Sequence, residues 1–247
     1  MSVMRTALVT GAGRGIGRAC ALALAETGVA VLVTDRDGDA ADAVRAEIAD
    51  RGGVALAQAL DTTSTEEHAR AIDLVRAHWG GLDVAVNNAG ITQPATDTAD
   101  ISPAQWRRVL DVNLDGVFYG VRLQLPALLE RGGGVIVTIS SLGGVRGLVG
   151  MSPYAAAKHA INGLMKTVAL EYGSRGVRAL AVGPAYVATG LERNLPADVQ
   201  ASLPGLHALN RIGQPEEIGA AVAWLASPAA SLITGSYIPV DGGYLAR

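Results

Sequence analysis

Thr6-Ala-Leu-Val-Thr10-Gly11-Ala-Gly13-Arg-Gly15-Ile-Gly17 reads as a short apolar strand that runs through a glycine loop into a helical pattern reaching Thr27-Gly28. The glycines have physical work to do in such a loop. The turn is tight, the backbone must come close to a pyrophosphate, and the helix start then presents free N–H groups and a positive dipole end to the anion. Glycines also serve ordinary turns. The position of these, after a strand and before a helix, points to dinucleotide binding through Gly11, Gly15 and Gly17.

Outward from that unit, strands and helices alternate. Ala30-Val-Leu-Val-Thr34 is a second buried strand ending in Asp35-Arg36, followed by a helix over residues 39 to 50. A carboxylate 18 residues after Gly17 suits the hydroxyls of an adenosine ribose, and it equally suits the start of a turn before that helix. Val54 to Leu60 reads as a third strand, capped by Asp61-Thr62. Residues 65 to 79 read as a helix with Thr65 as N-cap and Glu66 and Glu67 in its first turn. Leu82 to Asn87 is a fourth strand, running into Asn88-Ala89-Gly90. Ser102-Pro103 opens a long helix to about Leu129, with Trp106, Leu110, Leu114, Val117, Val121 and Leu125 along one face. Asn113, a poor helix former, lies inside it, as a polar residue near a kink would.

Gly134 to Ile139 is a fifth strand, closed by Ser140-Ser141, and Arg178 to Val182 a sixth. Residues 190 to 211 show no periodicity, so the segment 186–213 is expected to be a lid over a substrate. Pro215-Glu-Glu-Ile opens a last helix and Gly235 to Gly243 holds the last strand. This order predicts an α/β fold: a Rossmann-type, doubly wound parallel sheet of about seven strands with helices on both faces, in one domain over residues 1–247.

The chemistry is carried by Tyr154-Ala-Ala-Ala-Lys158, because residues four apart share one helix face. A phenol titrates near pH ~10, so a tyrosine that trades protons at neutral pH needs a fixed cation beside it. Lys158 can be that cation; alone, the pair would equally read as a packed ring and a solvated charge. Ser140 and Ser141 end a parallel strand, on the side where open sheets bind ligands.

Glycine loop, Asn-Asn-Ala-Gly string, serine and Tyr-x-x-x-Lys together resemble the short-chain dehydrogenase/reductase family over essentially the whole chain. The resemblance implies a catalytic set of Asn113, Ser141, Tyr154 and Lys158, with Asn113 holding a water on a proton path to the lysine. Ser141 is preferred to Ser140 because it precedes Tyr154 by 13 positions (154 minus 141), the family spacing. It further implies cofactor contacts from Ile16 in the loop, Asp61 and Thr62 at the adenine, Asn88, Ala89 and Gly90 along the ribose, Tyr154 and Lys158, and Pro184, Val187 and Thr189 at the carboxamide. Gly183 and Ala185 depart from the family's usual Asn-Pro-Gly. Arg14 and Arg36 stand where NADP-using relatives keep a basic residue, whereas Asp35 opposes a ribose phosphate, so NAD is expected over NADP.

Composition narrows the partners. With 49% hydrophobic residues, a net charge of −3, and 20 Lys and Arg spread among 23 Asp and Glu, 247 residues suit one large core and a small-molecule partner, with no nucleic acid and no membrane. The single Cys20 reads as a packing residue and the four scattered histidines as structural or surface residues, with no metal cluster. The start at Met1 lacks the pattern of a signal peptide, so a cytoplasmic enzyme is expected. Small residues Ala156, Ala160, Gly163 and Thr167 on one face of the Tyr154 helix fit either the monomer core or, by the resemblance, a homotetramer interface. Gln93, Arg146 and Tyr186, with Leu142, Met151 and Leu191, are expected to line the substrate pocket beside Ser141 and Tyr154. The implied reaction is NAD-dependent interconversion of a secondary alcohol, such as a diol, polyol or sugar alcohol, and its ketone. A 3-oxoacyl thioester reductase using NADPH is the alternative within enzymes. A non-catalytic dinucleotide-binding regulator is the alternative outside them, disfavoured by the complete proton relay.

Overall fold

The computed structural model describes residues 4–190 and 196–246. Seven parallel strands lie in the order β3-β2-β1-β4-β5-β6-β7: β1 (Thr6–Val9), β2 (Ala30–Asp35), β3 (Ala55–Ala59), β4 (Val84–Asn87), β5 (Gly134–Ile139), β6 (Val177–Pro184) and β7 (Tyr237–Val240). The central strands are buried along almost their whole length and mostly apolar because both faces are covered, as parallel sheets require. Alternation then sorts their side chains between two cores. Ala7, Val9, Val31, Val33, Val84, Val86, Val135 and Val137 meet α1 (Gly15–Glu26), α2 (Gly38–Asp50) and α8 (Pro215–Ala226) on one face. Leu8, Leu32, Ala85 and Ile136 meet α3 (Thr65–Trp79), α5 (Gly116–Glu130) and α6 (Ser152–Tyr172) on the other. Strand order reverses between β1 and β4, so the crevice beyond their carboxyl ends is the ligand side of such a sheet.

Several expected boundaries move, each for a local reason. The third strand is shorter than Val54 to Leu60, and α3 is capped by Ser64 rather than Thr65: the Ser64 hydroxyl accepts the Glu67 N–H at 3.2 Å, which makes Thr65 the first helical residue. The long helix from Ser102 is two helices, α4 (Pro103–Leu110) and α5, joined by a π-turn over Asp111–Asp115 that contains Asn113. Ser102 caps α4 in a reciprocal box with Gln105. Trp106 on α4 is exposed, so the apolar face begins only at Val109. The segment expected to lack periodicity holds a short α7 (Ala197–Ser202). Cys20 is fully buried, and burial pushes its thiol up to about 12. Among the described residues no helix is long and apolar enough to cross a membrane.

Candidate active site

The glycine loop is held open by its neighbours. The Thr10 hydroxyl accepts the N–H groups of Asn88 (3.0 Å) and Ala89 (3.1 Å), and the Asn88 carboxamide donates to the carbonyls of Thr10 and Gly11, each at 2.9 Å. Asn88 thus spends its amide on the loop itself. Gly17 allows α1 to lie against that loop, since a Cβ there would stand 2.2 Å from the Gly11 carbonyl. The first turn of α1 carries neither a side-chain cap nor an acidic residue, which leaves its dipole end available to an anion. Arg14 is exposed at the N-cap position, and Ile16 turns inward to pack on the core.

Asp35 ends β2 beside the loop. Its carboxylate accepts the Gly13 N–H at 3.0 Å and the Asp37 N–H at 3.1 Å. The helix-starting role falls to Asp37, whose side chain accepts from Asp39 and Ala40 and caps α2. Arg36 is exposed. Asp61 accepts both the backbone N–H and the hydroxyl of Thr63, and these bonds, aided by the more distant charge of Arg36, hold its pKa below the usual carboxylate value. Thr62 is buried, its carbonyl accepting from His68 Nε2 at 3.1 Å. Thr189 lies over the loop: a methyl group at Gly15 would sit 3.4 Å from its Cγ2. Pro184 ends β6, and buried Val187 forms a parallel bridge with Gly213.

Around Tyr154 the structure brings the expected residues together. Lys158, 4% exposed, donates to the Ile139 carbonyl at 2.7 Å, and its Nζ lies 5.7 Å from the centre of the Tyr154 ring. Ser140 hydroxyl reaches the Lys158 carbonyl at 3.3 Å, tying α6 to the end of β5. Ser141 accepts the Gly143 N–H at 3.0 Å and is hydrogen-bonded to the Tyr154 hydroxyl. Asn113 is fully buried; its amide donates to the Ile91 carbonyl (2.8 Å) and its oxygen accepts the Ile91 N–H (2.7 Å). A Cβ at Gly90 would stand 3.1 Å from Asn113 Oδ1 and 3.7 Å from Lys158 Nζ, so loop, asparagine and lysine converge.

The electrostatics differ from the expectation of a phenol depressed by Lys158. Burial raises the Tyr154 pKa above 10, and the Ser141 hydroxyl offsets part of that rise. The ammonium is itself pushed down to about 8 by burial and is bonded to a carbonyl rather than aimed at the phenol oxygen.

Of the residues expected to line a substrate pocket, Gln93 donates to the Gly150 carbonyl at 3.3 Å and keeps a buried carbonyl oxygen without a protein partner. Arg146 is exposed and stacks on the Tyr244 ring at 5.2 Å. Tyr186 packs with His207 and Tyr244, at 6.1 and 5.9 Å between ring centres. Leu142 is buried and Met151 half-buried at the start of α6; Leu191 lies outside the described residues. The neck of the segment 186–213 is closed by two bonds, Gly213 N–H to Tyr186 carbonyl and Ala188 N–H to Gly213 carbonyl, both 2.9 Å.

Sequence reading missed three aromatic residues here: His207, Tyr244 and Tyr237. Tyr244 follows the terminal Val-Asp-Gly-Gly directly and could have been suspected from that position. Tyr237 was signalled indirectly by Gly183. A Cβ at Gly183 would fall 2.0 Å from the Tyr237 oxygen, so the phenol occupies the space that a side chain would fill.

A family profile described as "Enoyl-(Acyl carrier protein) reductase" matches residues 11–245. The chain is 43% identical to the cyclohexanol dehydrogenase of Acinetobacter sp. (strain SE19), covering 98% of this chain and 96% of that one. It is 42% identical to the 3-oxoacyl-[acyl-carrier-protein] reductase of Synechocystis sp., covering 97% and 96%. In three dimensions it superimposes, with a TM-score of 0.91 and 40% identity over 98% of this chain and 97% of the other, on a protein from Beutenbergia cavernae assigned as an NAD(P)-dependent gluconate 5-dehydrogenase and solved with NADP bound at low occupancy. The match along the whole chain, on a fold that converges Ser141, Tyr154 and Lys158 beside a dinucleotide loop, shows that the protein belongs to the short-chain dehydrogenase/reductase family of NAD(P)-dependent oxidoreductases acting on CH–OH groups.

Proposed function

We propose that the protein oxidises a secondary alcohol, with an alicyclic ring alcohol as its preferred substrate class, and uses NAD as acceptor. The observation that carries the reading is the Ser141 hydroxyl bonded to Tyr154 with buried Lys158 behind it. The glycine cradle and the uncapped start of α1 fit a dinucleotide pyrophosphate; Asp35 fits the ribose; Tyr154, Lys158, Pro184, Val187 and Thr189 would hold the nicotinamide end. When bound, the cofactor supplies the hydride acceptor and, in its oxidised form, a positive charge that favours the phenolate.

This chain's residues do the rest. Ser141 orients the substrate oxygen, and Tyr154 as phenolate takes the hydroxyl proton while the carbon loses hydride and the carbonyl forms. Lys158 favours the phenolate by its charge and carries the proton path onward, with Asn113 fixing the Gly90-Ile91 turn beside it. The segment 186–213, closed at its neck, acts as the lid, and Gln93, Arg146 and Tyr186 meet the substrate.

The alicyclic assignment rests on the cyclohexanol dehydrogenase relative together with the aromatic wall of Tyr186, His207 and Tyr244. The reductase relative keeps a second reading in view, reduction of a 3-oxoacyl thioester with NADPH. A panel of cyclic alcohols, acyclic diols, polyols, sugars and a 3-oxoacyl thioester, followed by absorbance of the reduced cofactor, separates them. Turnover of cyclic alcohols with NAD is the expected result; activity confined to the thioester with NADPH overturns it.

A further inference from the structure

Gly183 and Tyr237 form an exchange pair beside the acid/base. Tyr237 stands opposite Ala181 in the β6–β7 register, and its side chain leans along the sheet over Gly183. There its hydroxyl donates to the Ser141 carbonyl at 3.1 Å. A Cβ at position 183 would come within 2.0 Å of the phenol oxygen and 2.1 Å of Cζ, so no residue but glycine coexists with this ring. The contact joins β7 to the end of β5, on the sheet face that carries α6, and with it Tyr154 and Lys158.

We propose that Tyr237 is a positioning residue for the alcohol-oxidising reaction: from the space left by Gly183, its hydroxyl fixes the Ser141 peptide and thereby the serine hydroxyl that bonds Tyr154. The Ser141 side chain is held by the Gly143 N–H, and its carbonyl by the neighbouring Gly144 N–H and by Tyr237, which alone of the three ties the residue to a distant strand. The Gly144 N–H bonds that carbonyl at 2.8 Å, so losing the Tyr237 hydroxyl removes one of its two donors; the carbonyl dipole is then less compensated near the site, which disfavours a phenolate at Tyr154. Tyr237 is suited to donate steadily, because burial, the Asp241 charge and Tyr154 push its own phenol up to about 12.

This inference rests on the proposed role of Tyr154, and the test separates the two. In Tyr237→Phe only the oxygen is lost. The expected result is an unchanged cofactor KM, kcat for alcohol oxidation lower by ~10-fold, and the rising limb of its pH profile displaced to higher pH. The same displacement is expected, without turnover, in the phenolate absorbance attributable to Tyr154, taken as the difference from the matching Tyr154→Phe protein. Gly183→Asn alone drives its Cβ into the phenol and should lower Tm and kcat together. Adding Tyr237→Ala removes the clash and lets the asparagine amide take the carbonyl bond, returning kcat to within ~5-fold of wild type. A Tyr237→Phe protein with wild-type kcat and an unmoved Tyr154 titration overturns the proposal. So does a double variant that folds but is no more active than Tyr237→Phe. If Tyr154→Phe were itself fully active, the acid/base reading would fail instead, and the absorbance titration would still decide the position of Tyr237.

Discussion

Tyr154 and Lys158 show why two residues four apart are not yet an acid/base. The helix puts them on one face, but burial raises the phenol and lowers the ammonium to about 8, so burial opposes the charged form of both. Tyr154→Phe keeps the ring and removes the titrating proton. Turnover should fall by at least ~100-fold while binding of reduced cofactor, read by its fluorescence, stays within about twofold; retention of a tenth of the activity would refute the assignment.

Lys158 has a consequence for stability, with a sign fixed by its depressed folded pKa. Below about 8 the ammonium is charged in both states and the burial cost is fully present. Between about 8 and 10.5 the folded chain has released the proton that the unfolded chain still binds, so stability climbs with pH; above 10.5 the cost is gone. Lys158→Met should therefore be more stable than wild type near neutral pH by up to about 3 kcal/mol, less about 1 kcal/mol for the orphaned Ile139 carbonyl. Urea unfolding from neutral to alkaline pH should show that gain shrinking through the same window. A gap independent of pH would show that the lysine is not buried as a cation.

The proposed preference for NAD rests on the end of β2. Asp35 is pinned by the N–H groups of Gly13 and Asp37, so swinging outward to admit a ribose phosphate would break two bonds. Each charge pair between that carboxylate and such a phosphate costs roughly 4 kcal/mol at about 4 Å and an effective dielectric near 20. Wild type is thus expected to show higher kcat/KM with NAD, and Asp35→Ser to shift the ratio toward NADP by at least ~10-fold. Equal or better use of NADP by the wild type would refute it. Elements were legible where local chemistry acts alone: Ser102-Pro103 opens α4 as read, and α6 runs through Ile161, Met165 and Val168 to Tyr172 as read. The π-turn was not legible as such, because Asn113 leaves the α pattern in order to satisfy the Ile91 backbone, a partner 22 residues away.

The assembled chain leaves one helix face unclaimed. Ala156, Ala160, Gly163 and Thr167 are all exposed, a Cβ at Gly163 would meet nothing within 4 Å, and Leu170 nearby is 86% exposed. The monomer core therefore does not account for this stripe. A second copy packed there would bury it closely, and we expect a homotetramer; light scattering that gives a monomer at working concentration would overturn this.

The sequence by itself determined the parallel sheet, the order of its strands along the chain, and that Tyr154 and Lys158 share one helix face. Those depend on short-range rules: apolar runs buried on both faces, glycines where a backbone must pass closely, and residues one helical turn apart. Tertiary structure alone decided what each group is bonded to. It gave Asn88 to the glycine loop, Lys158 to the Ile139 carbonyl, and the vacant side of Gly183 to a phenol from the last strand, 54 residues on. Such partners meet only after the sheet has closed, and the dielectric around Tyr154 and Lys158 exists only once they have.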